Sequence, residues 1–133
     1  MADNGLAMTL KQRRIKITVG SVQVSATLNG CRTADLLWAA LPITGSASTW
    51  GGEIYFRTPV SMPEEDANET FPMGAVAYWP PGQALCLFFG RTPASRGDEI
   101  RMASPGNLLG AIEGDPRVLK SVPSGAAVTV ERA

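Results

Sequence analysis

Two short runs near the start of the chain alternate between apolar and polar residues. Residues 14–19 and 22–28 each carry an apolar side chain at every second position, and Gly20-Ser21 lies between them. Alternate side chains of a strand point to opposite faces, so this period predicts two half-buried strands. The short glycine-containing connection predicts that they pair as a β-hairpin.

A helix is predicted directly after the Asn29-Gly30 break. Thr33 can cap a helix over residues 34–41, with Asp35 in its first turn, and Pro42 ends it. The segment carries almost no polar face, which is typical of a buried helix. We therefore expect it to plug an open end of a barrel or to lie across it.

Six further short strands are predicted from apolar runs that end at turn residues: 46–50, 53–58, 75–79, 84–89, 108–112 and 127–131. The polar segment 61–72 is expected to be a surface loop, and Asp115-Pro116 predicts a helical turn through Lys120. Strand follows strand without regular helical crossovers, which argues against a parallel sheet. The sequence thus predicts a mainly β fold, a closed or nearly closed β-barrel of about seven or eight strands with two short helices.

The length and charge of the chain restrict its organisation and its partners. With 133 residues it has room for one core, so we expect a flexible N-terminal tail over 1–13 and a single domain over 14–133. The 12 basic and 12 acidic side chains balance, and nucleic acid is not expected as a partner because its binding usually requires a basic excess. No apolar run reaches the length of a membrane span or signal peptide, which predicts a cytoplasmic protein without a membrane partner.

Candidate chemistry is restricted by the absence of histidine. This excludes Ser-His-Asp and Cys-His nucleophile pairs and His-Glu-x-x-His zinc sites. The glycine-rich phosphate-binding motifs are also missing from the sequence, so no catalytic residue, metal or cofactor is predicted. Cys31 and Cys86 match no metal-ligand spacing. We interpret them as small buried residues in a reducing compartment, and a single disulfide remains the alternative.

Glu53 is the ionisable residue of most interest. It lies between Gly52 and Ile54, on the same predicted strand face as Tyr55 and Arg57. If it faces a pocket, burial would raise its pKa and make it a candidate acid, base or ligand anchor. The alternative is a strand-edge carboxylate that pairs with Arg57.

Aromatic residues are concentrated on the two predicted strands that flank Pro80-Pro81-Gly82: Tyr78, Trp79, Phe88 and Phe89. Alternation puts the two members of each adjacent pair on opposite faces, so one face belongs to the core. The other could line a groove for an apolar or proline ring. For each of these residues, core packing is the competing interpretation.

Three sequence blocks follow one another along most of the chain. They are STWGGEIYF (48–56) with TPV (58–60), AYWPPG (77–82) with ALCLFFG (84–90) and TP (92–93), and NLLGAIEG (107–114). The most specific parts are WGGEIYF and YWPPG. In these blocks the chain resembles a small prokaryotic family of cyclophilin-like proteins of unknown function, which implies a reduced cyclophilin barrel over residues 14 to 132.

The resemblance also bears on function. True cyclophilins are peptidyl-prolyl isomerases that present an arginine, apolar or aromatic groups, a glutamine and a histidine around a surface groove. Here histidine is absent, Leu87 stands in place of the glutamine, and Phe89 could correspond to the aromatic groove residue. Arg57, two residues before Pro59, is similar to the cyclophilin arginine, which lies three residues before a proline.

Three functions remain open from the sequence. The first is a module that binds a small molecule or peptide without strong isomerase activity, through the candidate residues Glu53, Tyr55, Arg57, Tyr78, Trp79 and Phe89. The second is a weak peptidyl-prolyl isomerase, in which a donor such as Arg57 acts on the amide nitrogen. The third is an interaction protein that acts through homo-oligomer contacts.

Overall fold

The computed structural model describes residues 13–133, so the tail predicted over 1–13 lies, except for Arg13, outside the described residues. The described chain contains ten strands, one α-helix and two 3-10 helices. The strands are β1 (Arg14–Val19), β2 (Val22–Leu28), β3 (Ile43–Ser46), β4 (Ser48–Thr49), β5 (Glu53–Arg57), β6 (Asn68–Phe71), β7 (Ala75–Trp79), β8 (Ala84–Phe88), β9 (Ile100–Ile112) and β10 (Ala127–Arg132). The helices are α1 (Arg32–Ala40) and the 3-10 helices Pro80–Gly82 and Pro116–Ser121.

The strand pairs of this sheet are antiparallel. The order across the sheet is β3-β10-β1-β2-β9-β7-β8-β5-β4, and β6 pairs with β9 beside this path. The predicted hairpin is confirmed, because β1 pairs with β2 and places Ile17 opposite Val24. The mainly β class is confirmed as well. Among residues 13–133, however, no ladder joins β3 to β4, so hydrogen bonds do not close the sheet into the predicted barrel.

Two strands lie outside the predicted set, and the predicted number of seven or eight is therefore too low. β3 begins directly after Pro42, where the sequence indicates only the end of a helix. β6 lies inside the predicted surface loop, and all of its residues except Phe71 are exposed. A strand at the margin of a sheet carries little of the alternating burial by which strands are recognised in a sequence.

β9 is much longer than predicted, because it begins at Ile100 rather than Leu108. Pro105-Gly106 has the composition of a strand break. In the structure this dipeptide lies where β9 changes partners, since β6 pairs with residues 100–106 and β7 with residues 107–111. Proline has no N–H to donate to a ladder, and it is tolerated at such an irregular position because no ladder hydrogen bond is required there.

The predicted helix is present, but it begins two residues earlier than expected. Cys31 is the N-cap, and its Sγ accepts the Ala34 N–H at 3.4 Å, so Thr33 is not the cap. Thr33 is buried instead, and its hydroxyl donates to the Glu65 carboxylate at 2.6 Å. Only one face of α1 is fully buried, at Thr33, Ala34 and Leu37, rather than its whole circumference.

The sheet separates two apolar clusters. We call the larger one the inner core, which contains the inward side chains of most strands together with Ala34 and Leu37 of α1. We call the smaller one the outer cluster, which lies on the opposite face of β7 and β8: Phe71, Ala75, Ala77, Ala84, Cys86, Phe88, Ile100 and Met102. The first half of β9 therefore covers part of a sheet face that would otherwise be exposed.

Candidate functional site

A cavity of about 220 Å³ lies beside the outer cluster, and its lining residues are Trp50, Glu53, Tyr55, Trp79, Met102 and Ala103. Neighbouring positions on the same sheet face carry small side chains, namely Ala77, Ala84 and Cys86. These small residues leave space between the larger ones at the rim. The volume is somewhat below the ~300 Å³ at which typical small-molecule sites begin, so the cavity suits a small ligand or a head group.

A tight hairpin brings Trp50 and Glu53 to the same side of the sheet. The Trp50 N–H donates to the Glu53 carbonyl at 2.9 Å, and the Glu53 N–H donates back at 3.2 Å. Gly51 has a φ of +60°, a backbone conformation that residues with a side chain rarely adopt. A Cβ on Gly52 would lie 2.2 Å from the backbone carbon of Gly90. The Gly51-Gly52 turn is therefore required for this placement.

Two large side chains of the rim are held in place by glycines beneath them. A Cβ on Gly82 would meet the Trp79 ring at 2.7 Å, so the indole packs directly on the turn after β7. Its Nε1–H donates to Ser104 Oγ at 2.7 Å, which fixes the ring from the β9 side. A Cβ on Gly106 would lie 2.4 Å from the Sδ of Met102, so the thioether rests on bare backbone. These contacts fix the positions of Trp79 and Met102 in the cavity wall.

Glu53 supplies the acidic group of the cavity, although only 5% of it is exposed. It lies opposite Phe88 on β8, whose ring stacks on Phe71 at a centroid distance of 5.2 Å. Burial raises the pKa of Glu53 to about 7, and the Cys86 thiol lowers it in part. Near neutral pH the carboxyl group is therefore divided between its protonated and ionised forms.

The ion pair predicted as an alternative, between Glu53 and Arg57, is not found among the contacts of residues 13–133. Arg57 is exposed, and its Nη2 donates to Gln83 Oε1 at 2.7 Å. The strand register explains the separation, because Arg57 lies beside Ala84 whereas Glu53 lies beside Phe88 at the other end of β8. Arg57 does not line the cavity.

Two of the predicted site residues belong to the inner core instead. Tyr78 is 1% exposed, and its hydroxyl donates to the Val60 carbonyl at 2.6 Å. Phe89 is also buried, and it borders a separate cavity of about 490 Å³ together with Arg91 and Lys120. Alternation along the strands accounts for both, because their neighbours Trp79 and Phe88 lie on the outer face.

The structure thus brings three of the six candidates together, namely Glu53, Tyr55 and Trp79. Sequence reasoning missed three lining residues, which are Trp50, Met102 and Ala103. Trp50 could have been found, because residues that flank a two-residue hairpin turn face each other with their side chains on one side. Met102 and Ala103 lie in the half of β9 that was not predicted to be a strand.

The remaining candidate chemistry concerns metal ligands, cysteines and membrane-spanning helices in the part of the chain that the structure describes. No group of three or more histidine, cysteine, aspartate or glutamate side chains there is placed to hold a metal ion. Cys31 and Cys86 are both free, so the disulfide alternative is not realised. None of the helices among residues 13–133 is long and apolar enough to cross a membrane.

Comparisons with known proteins agree with this architecture. A sequence family described as cyclophilin-like matches residues 13–131. The solution structure of the hypothetical protein AF2241 from Archaeoglobus fulgidus is similar, with a TM-score of 0.79 and 40% sequence identity over 92% of this chain and 96% of that one. The comparison with curated proteins gave no match. The chain belongs to the cyclophilin-like family.

Proposed function

We propose that this protein is a binding module whose ligand, a small molecule or a short peptide segment, occupies the cavity beside Glu53, Tyr55 and Trp79. The observation that carries the proposal is the lining, in which aromatic rings surround one buried acidic group. Small-molecule sites are mostly apolar and contain a few well-placed polar groups. The packing of Trp79 on Gly82 and its bond to Ser104 preorganise the site, which lowers the entropy lost on binding.

Weak peptidyl-prolyl isomerase activity is the second candidate. Ala84 of β8 pairs with Arg57 of β5 on one side and with Trp79 of β7 on the other. The arginine therefore lies on the same sheet face as the cavity. If a proline ring entered the cavity, Arg57 could approach its amide nitrogen and lower the ~18–20 kcal/mol rotation barrier. That role first requires the guanidinium to leave Gln83.

Both candidates are tested by NMR on protein carrying isotope-labelled tryptophan. The chain has three tryptophans, and Trp38 does not line the cavity but packs against the guanidinium groups of Arg13 and Arg132. A panel of small amines, alcohols, carboxylates and short X-Pro peptides is added in turn. We expect the indole signals of Trp50 and Trp79 to shift, while that of Trp38 stays in place as an internal control.

The same samples report catalysis, because exchange spectroscopy measures cis/trans interchange of the X-Pro bond, which takes tens of seconds or longer without a catalyst. Shifts without faster interchange would support a binding module. Faster interchange that is lost in Arg57→Ala would establish the isomerase. If no probe shifts Trp50 or Trp79, the proposed binding function is wrong.

A homo-oligomer is the third candidate, and it is favoured by two large apolar side chains on the surface, Met73 and Val118, which are 53% and 49% exposed. Sedimentation analysis of the full chain and of Met73→Lys would test it. A dimer that dissociates in the variant would support this alternative, and a monomer at all concentrations would overturn it. The cytoplasmic location remains a prediction from the sequence.

A further inference from the structure

The cavity combines a buried carboxylate with aromatic faces. Trp50, Tyr55 and Trp79 are each half-buried, so part of every ring is left open beside the cavity that they line. The Trp79 Nε1–H already donates a hydrogen bond to Ser104. Trp79 therefore offers a ligand its ring face rather than a hydrogen-bond donor. Glu53 places its acidic group among these rings.

Two arginines on the strands that line the cavity are engaged elsewhere. Arg57, on the same strand as Glu53, donates to Gln83. Arg101, next to Met102 on β9, forms salt bridges with Glu99 at 2.6 Å and with Glu69 at 3.5 Å. An ionised carboxylate buried without a cationic partner is unfavourable, and a positively charged ligand would relieve that penalty.

We propose that the cavity binds an organic cation of the alkylated ammonium class, held between Trp50, Tyr55 and Trp79 with Glu53 as its counter-ion. This inference rests on the proposed binding function of the same cavity. The faces of aromatic rings carry negative electrostatic potential, and they attract a cation most strongly when water is excluded. An alkylated ammonium suits this lining because it needs few hydrogen-bond acceptors. An anion is disfavoured by the carboxylate.

The fold already uses the same chemistry at a second tryptophan. The guanidinium carbon of Arg132 lies 4.5 Å from the centroid of the Trp38 ring, and that of Arg13 lies 5.9 Å from it. Both cations come from the chain itself, so this ring is occupied. The cation–π contacts found among residues 13–133 do not involve the rings at the cavity, so a ligand is left to supply a cation there.

The protonation of Glu53 makes the binding depend on pH. The titratable groups that face it are the Cys86 thiol from β8 and the Tyr55 phenol from β5, while Arg57 and Arg101 are engaged as described. Burial raises the pKa of Cys86 well above its ordinary value, so the thiol stays neutral. Because burial holds the pKa of Glu53 at about 7, a cation binds better as the pH rises through that value.

The test compares two probes of nearly equal shape, the cation choline and its neutral carbon analogue 3,3-dimethylbutan-1-ol. Each is titrated into protein with isotope-labelled tryptophan, and the indole signals give the dissociation constant. We expect choline to shift Trp50 and Trp79 but not Trp38, with about tenfold weaker binding at about pH 6 than at about pH 8. The neutral analogue should bind more weakly and without that pH dependence.

Two variants make the comparison sharper. Glu53→Gln should weaken choline binding at least tenfold at the higher pH and abolish its pH dependence. Glu64→Gln removes the same charge from an exposed position outside the cavity, and it should bind choline like the wild type. The indole spectrum of each variant shows whether it is folded.

The proposal is overturned if the neutral analogue binds as tightly as choline, if choline binding is independent of pH, or if Glu53→Gln binds choline normally. In each of these cases the proposed binding function survives, because a ligand still occupies the cavity. It is also overturned if choline leaves Trp50 and Trp79 unshifted. The X-Pro peptides and neutral probes then decide separately whether the cavity binds any ligand.

Discussion

The two faces of the sheet formed by β5, β8 and β7 share one backbone but differ in how tightly they are filled. Toward the inner core these strands present Ile54, Phe56, Leu85, Leu87 and Tyr78, all at most 1% exposed. Large side chains that interdigitate at this density leave no room for a ligand, and they account for much of the stability.

The outer face of the same strands alternates large residues with small ones. Ala77, Ala84 and Cys86 are buried in its middle, while Tyr55 and Trp79 are half-buried at the rim. The cavity lies beside these small residues, and the rim residues that line it are what a ligand would contact. Under the proposed function, the same strands serve stability with their inner face and binding with their outer face.

The largest expected effect comes from truncating neighbouring aromatics on opposite faces of β5. Phe56→Ala removes a ring that is 1% exposed, and we expect it to lower the free energy of unfolding by about 3–5 kcal/mol. Tyr55→Ala removes a half-buried ring, and we expect a loss of about 1–2 kcal/mol together with loss of choline binding. Urea denaturation of both variants measures the difference. Equal losses would contradict the assignment of stability to the inner face.

The second expected effect concerns the ionisable group on the outer face. Folding raises the pKa of Glu53 from an ordinary 4.5 to about 7 because of burial, so the folded state binds the proton more tightly than the unfolded state. The stability that protonation provides is complete below about pH 4.5 and is lost as the pH rises through 7, in total roughly 3 kcal/mol. Glu53→Gln keeps a neutral side chain, so this loss should be absent from it.

Urea denaturation of wild type and Glu53→Gln at several pH values checks this sign. The low pKa values of Glu113 and Asp115, both about 2 because of hydrogen bonds from arginine side chains, change stability only at more acidic pH. The window between about 4.5 and 7 therefore isolates Glu53. Parallel pH profiles of the two proteins in that window would refute the raised pKa of Glu53.

A third, smaller effect tests how firmly the rim is positioned. In Gly82→Ala the new Cβ would meet the Trp79 ring at 2.7 Å, so the indole must move and its bond to Ser104 weakens. We expect a stability loss of about 1 kcal/mol, a shifted Trp79 indole signal and weaker choline binding. Gly30→Ala is the matched control, because its Cβ would meet nothing within 4 Å. An unchanged Trp79 signal in Gly82→Ala would show that the added Cβ is accommodated without moving the indole, so the position of the ring would not depend on Gly82.

The inner face was predictable from sequence and much of the outer face was not, for a physical reason. Alternation reports which residues share a face of one strand, so it was sufficient for the β1–β2 hairpin and for the opposite directions of Tyr78 and Trp79. It does not report which distant segment covers that face. Met102 reaches the cavity only because β9 changes partners at Pro105-Gly106, and that depends on tertiary pairing.

Glu65 illustrates the same limit outside the cavity. In the sequence it belongs to a polar, acidic segment that is typical of a solvated loop. In the structure its carboxylate accepts the N–H groups of Arg32 and Thr33 at 2.9 Å each. Its own N–H donates to Asn107 Oδ1 at 2.7 Å, which ties the segment to β9. Only the folded chain brings these donors to it.

The smallest expected effect belongs to Arg57, and it decides how far the outer face extends as a site. The side chain is exposed and bonded to Gln83, so Arg57→Ala should change the free energy of unfolding by less than about 0.5 kcal/mol. Because Arg57 does not line the cavity, choline binding should also be unchanged. Chemical denaturation and the indole titration measure both quantities. A clear loss of binding in this variant would mean that the ligand reaches along β5 toward the arginine, and the isomerase alternative would then gain over the binding module.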